Sequence, residues 1–303
     1  MNFIDEKIKV NGVDIAYQLH GNNQNPTILL VHGLAVPLTG WPTDMVESFV
    51  NQGFQVLLID NRDMGKSQEL NHLKIPSFLW TILKFKLGFS PKVPYKLEDM
   101  MTDAICLLDA LHIDKVHLVG ASMGGMIAQL VAIHHPERLH TLTSIMSTTG
   151  YKALPKGTPE INKVFAEKPA SSNFEDRLHY HMKKWRVMGS PQYPLVNSEL
   201  ESRVSKLLER GISTKGTIRQ ILAIFAASDR TKLLNNILTP TLVIHGDSDG
   251  LVNCDGGVAT SNAIKNAKLK IYKGMGHDFP IELIPSIISD IVEHVTVESS
   301  KIK

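Results

Sequence analysis

Short apolar runs alternate along the chain with stretches whose apolar residues recur every three or four positions. Thr27–Val31 and Gln55–Ile59 are runs of the first kind, the pattern of parallel strands buried on both faces. Val116–Val119, Leu139–Met146, Thr241–Ile244 and Leu269–Tyr272 read as further strands. Helical spacing is expected over Thr43–Asn51, over Leu97–Leu111, after Met123, around Val258–Asn266 and from about Pro280 to Val295. Near the start, Lys7–Val10 and Val13–Leu19 flank Asn11-Gly12, the signature of a hairpin with a two-residue turn. An opening hairpin followed by repeated β-α-β units predicts an α/β fold with a mostly parallel, doubly wound sheet.

One block breaks the alternation. Ser147 to Lys232 contains no convincing strand, only helical stretches such as Phe174–Met188, Ser198–Arg210 and Thr217–Ala227. The expected organisation is therefore a core formed by residues 1–146 and 233–303, with 147–232 inserted as a helical cap. Ligands bind at the C-terminal edge of open α/β sheets, so the cap would roof that edge. The Glu298–Lys303 tail reads as disordered.

Composition narrows the function classes. A chain of 303 residues with 43% hydrophobic and 20% charged content is ordinary for a globular protein that buries a sizeable core. A formal charge of +2 does not point to nucleic acid. Two distant cysteines, Cys106 and Cys254, give no disulfide framework and fit a reducing compartment. The N-terminus shows no signal-peptide pattern, and no apolar run is long enough to span a membrane. The expected location is cytoplasmic.

The chemistry centres on Gly120-Ala121-Ser122-Met123-Gly124, which follows a predicted strand and opens a predicted helix. Strand, G-x-S-x-G and helix form a nucleophile elbow, in which the serine is lifted from the sheet on a strained turn. Gly120 and Gly124 suit the crowding there, and the Met123 N–H points at whatever Ser122 attacks. A serine hydroxyl needs a base to become nucleophilic. Among 13 histidines, His277 stands in a glycine-bearing loop after the last strand, at the edge where it can reach the serine. The base in turn needs an acceptor. His245-Gly246-Asp247-Ser248-Asp249 offers two, Asp247 and Asp249, in the chain order Ser, Asp, His.

With these motifs the chain resembles the α/β-hydrolases, and within them the branch of aclacinomycin methylesterase-like and related small carboxylesterases. The resemblance rests on His32-Gly33, Asp60 to Ser67, Gly120 to Gln129, Ser144 to Thr149, the His-Gly-x-x-Asp at 245–249 and Gly276 to Pro280. It implies Asp249 as the acid, with Asp247 second, and an oxyanion hole from the Leu34 and Met123 amides. The widespread pattern Asp-x-Arg-Gly-x-Gly-x-Ser has a glycine where this chain has Asp63, a replacement frequent in that branch. Asp60 and Arg62 are expected to fix their loop, and His32 to be structural. His134-His135-Pro136 is expected to end the elbow helix, and His179 with His181 to face solvent. No metal or dinucleotide signature occurs, so no cofactor is expected.

The expected activity is hydrolysis of small to medium apolar carboxylic esters through a Ser122–His277–Asp249 triad. Carbon–carbon bond hydrolases and proline iminopeptidase-like hydrolases share the scaffold, and a non-catalytic ligand receptor is the reading from another class. An elbow serine argues against haloalkane dehalogenases and epoxide hydrolases, which place aspartate there. The partner is expected to be a small-molecule ester. In Ile75–Phe89, Phe78, Ile82, Phe85 and Phe89 fall on one helical face with Leu79 and Leu83 beside them. That segment is expected to pack on the cap or line an acyl pocket, a peripheral lipid contact through Lys84 and Lys86 being the alternative.

Overall fold

The apolar runs become the middle of one sheet. In a computed structural model, which describes residues 4–300, β1 (Glu6–Val10) and β2 (Val13–His20) form the hairpin. Its turn residues Asn11 and Gly12 both take positive φ, at 49° and 77°. Then come β3 (Thr27–Val31), α1 (Thr43–Asn51), β4 (Gln55–Ile59), α2 (Phe78–Lys86) and α3 (Leu97–Ala110). β5 (Val116–Ala121), α4 (Met123–His134) and β6 (Leu139–Ile145) complete the first half. Five helices follow: α5 (Pro159–Ala166), α6 (Phe174–Met188), α7 (Asn197–Arg210), α8 (Thr214–Ala226) and α9 (Thr231–Leu234). The chain then returns through β7 (Thr241–Gly246), α10 (Asp255–Ala263), β8 (Lys268–Tyr272) and α11 (Ile284–Ser300).

The eight strands run in the order β1-β2-β4-β3-β5-β6-β7-β8. Only the β1–β2 and β2–β4 pairings are antiparallel. Alternating side chains of β3 enter different cores. Ile28 and Leu30 pack with Met45 and Phe49 of α1 and with Ile287 and Ile291 of α11. Leu29 and Val31 pack with Met100 and Leu107 of α3 and with Ile127 and Leu130 of α4. Burial on both faces explains why this strand carries no polar residue after Thr27, each large apolar side chain contributing about 1.5–3 kcal/mol.

Register sets up the site. Val31 lies level with Ile59 of β4 on one side and Gly120 of β5 on the other. Ala121 pairs with Ile145 of β6, and Ile145 with Ile244 of β7. The segments leaving these strands therefore emerge side by side along one edge.

The block between β6 and β7 has a small core of its own, Leu178, Leu200, Val204 and Leu208. Polar side chains tie it to the sheet edge. Arg210 of α7 donates to Asp60 at 2.9 Å, and Arg219 of α8 pairs with both oxygens of Asp63 at 2.8 and 2.6 Å.

Three expectations need correction. The helix expected at Val258–Asn266 starts earlier and ends earlier, as α10. Gly256 and Gly257 read locally as loop, yet a Cβ on Gly257 would lie 2.6 Å from the His245 ring, so close packing requires glycine there. The helix cannot reach Asn266, whose φ is 63°. Glu298–Ser300, expected to be disordered, continue α11, while 301–303 lie outside the described residues. Phe89 does not share a helix face with Phe85, because α2 stops at Lys86. Gly88 N–H then donates to Phe85 O and Phe89 N–H to Lys84 O, both at 3.0 Å, a paired helix-ending motif with Gly88 at φ 83°.

Candidate active site

Ser122 caps α4 with φ 55° and ψ −119°, a conformation that L residues rarely adopt. The surroundings impose it. Ser122 N–H donates to Ile145 O of β6 at 2.9 Å, while Ser122 O accepts from Gly125 N–H at 2.9 Å and Met126 N–H at 3.2 Å. The Ser147 hydroxyl donates to the same carbonyl at 2.8 Å. A Cβ on Gly120 would strike the Gly124 carbonyl, and one on Gly124 would strike Val31 O. Both glycines are needed because strand and helix backbones touch where the chain reverses. The serine is left half-buried.

His277 comes from the loop between β8 and α11 and reaches this hydroxyl, Nε2 to Ser122 Oγ being 2.9 Å. Its Nδ1 lies 2.7 Å from Asp249 Oδ2. The other oxygen, Oδ1, accepts the Leu251 and Val252 amides, each at 2.9 Å. Burial alone would raise the Asp249 pKa, but the charge on His277 and hydrogen bonds from His245 and His277 hold it well below the usual carboxylate range. An ionised Asp249 assigns the His277 proton to Nδ1 and leaves Nε2 free to accept from the serine. Asp247 does not reach His277. It accepts from Gly274 N–H at 2.7 Å and the Ser248 hydroxyl at 2.8 Å, bracing the turn.

The loop after β3 closes the other side. A Cβ on Gly33 would lie 2.9 Å from Ser122 Cβ, so the backbone leading into Leu34 passes directly against the serine. Met123 opens α4, where the first amides of a helix have no intrahelical acceptor. Leu34 directly follows the glycine packed on Ser122, and Met123 directly follows Ser122 itself. His32 accepts from Gly33 N–H at 2.7 Å, and burial pushes its pKa down to about 3, so it stays neutral.

Two buried amide side chains, neither singled out by the sequence reading, hold this loop. Asn61 Nδ2 donates to His32 O at 2.9 Å. Gln220 of α8 accepts from Ala35 N–H at 3.0 Å and donates to Arg62 O at 2.9 Å. Ala35 sits at φ 57°, a strained position that this hydrogen bond helps to fix. The histidine loop is held similarly: His277 N–H donates to Met188 O at 2.8 Å, and Ser190 Oγ accepts from Gly276 N–H at 2.8 Å. Asn61 and Ser147 lie in motifs that the chain displays locally. Gln220 and Ser190 carry no local signal, because their partners are far away in sequence.

Asp60 and Arg62 fix the loop after β4. Asp60 accepts from the Leu38 amide at 2.7 Å and the Lys66 amide at 2.9 Å, and Arg62 forks onto Asp103 with two contacts of 2.6 Å. Asp63 holds a positive φ of 69°, where glycine is easiest, yet its carboxylate binds Arg219, the Tyr95 hydroxyl at 2.8 Å and the Leu70 amide at 2.7 Å. These partners offset the backbone strain. His134 ends α4, His179 is exposed, and His181 is half-buried with a pKa lowered to about 4 by burial.

The sequence profile of the alpha/beta hydrolase fold family matches residues 26–282. The chain belongs to the α/β-hydrolase fold family. Among relatives of this α/β-hydrolase, rhodomycin D methylesterase DnrP of Streptomyces peucetius is 25% identical over 296 residues, covering 90% of this chain and 92% of that one. The 2-hydroxy-6-oxononadienedioate/2-hydroxy-6-oxononatrienedioate hydrolase of Cupriavidus pinatubonensis is 27% identical over 281 residues, 89% of this chain and 88% of its own. Among solved structures, the enol-lactonase from Burkholderia xenovorans LB400 superposes with a TM-score of 0.72 at 21% identity, covering 96% of this chain and all of that one (100%).

Proposed function

We propose that this α/β-hydrolase is a serine hydrolase of carboxylic esters. The observation that carries the reading is the relay from Ser122 Oγ through His277 to Asp249, with successive contacts of 2.9 and 2.7 Å. In the proposed cycle His277 Nε2 takes the hydroxyl proton as Ser122 Oγ bonds to the ester carbonyl carbon. The carbonyl oxygen becomes an oxyanion held by the Leu34 and Met123 amides, each contributing about 3–4 kcal/mol of transition-state stabilisation. Collapse breaks the bond to the alkoxy oxygen, which takes the proton from His277 and leaves as alcohol. Water, deprotonated by the same histidine, then releases the acid and regenerates Ser122.

Residues 147–232 are read as the cap over this site, and the apolar content of the cap and of 75–89 favours small to medium apolar esters. A cytoplasmic setting is part of the same proposal, in keeping with the free thiols Cys106 and Cys254. A second reading, carbon–carbon bond hydrolysis on the same triad, has the relative from Cupriavidus pinatubonensis in its favour. The deciding experiment compares a p-nitrophenyl ester chain-length series with a 2-hydroxy-6-oxo-dienoate substrate, in wild type and Ser122→Ala. Ester turnover that vanishes in Ser122→Ala supports the proposal. Ester turnover that survives it, or turnover of the dienoate alone, overturns it.

A further inference from the structure

Helix α2 turns an apolar face outward. Thr81 is its only buried side chain, and Phe85 stacks on Phe225 of α8, with ring centroids 6.4 Å apart. On the opposite side Leu79 is 81% exposed, Trp80 63%, Leu83 42% and Leu87 64%. Leu79, Leu83 and Leu87 follow one another at a spacing of four, and Trp80 lies beside them, so the four occupy an arc of about 100°. Lys86 borders this arc on one side and Lys84 on the other, both exposed. Just past the helix-ending turn at Gly88, Phe89 is 64% exposed. Isolated exposed apolar residues are unremarkable on a protein surface, whereas a contiguous aromatic and aliphatic stripe is the mark of an interaction site.

The charge around the stripe says what it meets. Between Glu69 and Glu98 the chain carries Lys74, Lys84, Lys86, Lys92 and Lys96 and no aspartate or glutamate, although the whole protein is only +2. All five lysines are exposed. A symmetric dimer through this face would set Lys84 and Lys86 against their own copies. An anionic bilayer satisfies both features: its headgroups attract the lysines, and its headgroup–acyl boundary accepts leucine and tryptophan side chains.

We propose that α2 docks the protein peripherally on anionic phospholipid membranes, with Leu79, Trp80, Leu83 and Leu87 inserted and Lys84 and Lys86 at headgroup level. The proposal rests on this surface alone and holds whichever ester the site cleaves.

The test is co-sedimentation of the full chain with vesicles of phosphatidylcholine alone and of equal parts phosphatidylcholine and phosphatidylglycerol, with tryptophan emission recorded in parallel. Binding to the anionic vesicles, released by added salt, with a blue shift in emission that Trp80→Ala removes, is the expected result. The double substitution Lys84→Glu with Lys86→Glu is expected to weaken binding on the order of tenfold or more. Leu79→Ser with Leu83→Ser, both at exposed positions, is expected to abolish binding while the urea midpoint stays at the wild-type value, so that the loss is not one of folding. No binding to anionic vesicles, or binding that all these variants retain, overturns the proposal. So does an equilibrium ultracentrifugation result in which wild type is a dimer, Leu79→Ser with Leu83→Ser is a monomer, and neither binds vesicles.

Discussion

The two aspartates of the 245–249 loop are chemically identical and two positions apart, yet their surroundings give them different work. Asp249 faces His277, while Asp247 accepts hydrogen bonds within its own turn. Asp249→Asn keeps the shape but presents an amide to His277, favouring the wrong tautomer. In a serine hydrolase of this geometry kcat is expected to fall on the order of ten-thousandfold. Asp247→Asn is expected to stay within about threefold of wild type, since an amide oxygen still accepts from Gly274. Steady-state kinetics on one p-nitrophenyl ester compares the two. The alternative acids were legible in the sequence, and so was the serine, because the crowded elbow writes its glycines on either side of it. The choice between Asp247 and Asp249 was not legible from spacing, since both lie within reach of the same strand end; the resemblance selected Asp249, and the fold brings that residue to His277.

Among the elements, α8 bears most directly on the proposed oxyanion site. Its consecutive residues Arg219 and Gln220 are both buried and both bind the strand-edge loops. Gln220→Ala leaves the Ala35 amide and the Arg62 carbonyl without their partner, and the loop carrying Leu34 loosens. The expected signature is a drop in kcat of about tenfold or more with KM nearly unchanged, because the Leu34 amide would act chiefly in the transition state. Asp63→Gly restores the residue of the wider family pattern and relieves a positive φ, but it strands the Arg219 guanidinium in the interior. Loss of one partner from a buried pair costs about 3–5 kcal/mol, more than the strain returned, so the urea midpoint is expected to fall. Arg219→Met combined with Asp63→Gly is expected to recover part of that loss, which an unfolding titration of the three variants measures.

At the scale of the molecule, buried neutral histidines make stability depend on pH. Burial holds His32 and His117 down to about 3, against the ordinary value of 6.5. The unfolded chain takes up these protons as the pH drops below about 6.5, and the folded chain does not. Their stabilising effect is therefore complete above about pH 6.5 and is lost progressively toward pH 3, with a slope of about 1.4 kcal/mol per pH unit for each group. The depressed Asp249 adds to the loss at the acid end. Urea midpoints measured from neutral pH downward are expected to decline through this window. His117→Gln, which keeps a polar group for Thr141 but does not titrate, is expected to flatten the decline.

The sequence by itself determined the strand and helix alternation, the elbow and the chain order of the candidate site residues. Each of these is a short-range property: continuous burial on both faces makes apolar runs, a tight reversal demands glycine, and strand ends carry the loops that hold chemistry. The tertiary structure alone decided which atoms meet across long separations. Ser122 and His277 come from opposite halves of the chain, and Gln220 reaches Ala35 and Arg62 from a helix outside the sheet. It also decided which side of α2 faces out. That helix carries apolar residues nearly all the way round, so its periodicity names no inner face. Packing against α8 turns Phe85 inward and leaves Leu79 and Trp80 in water.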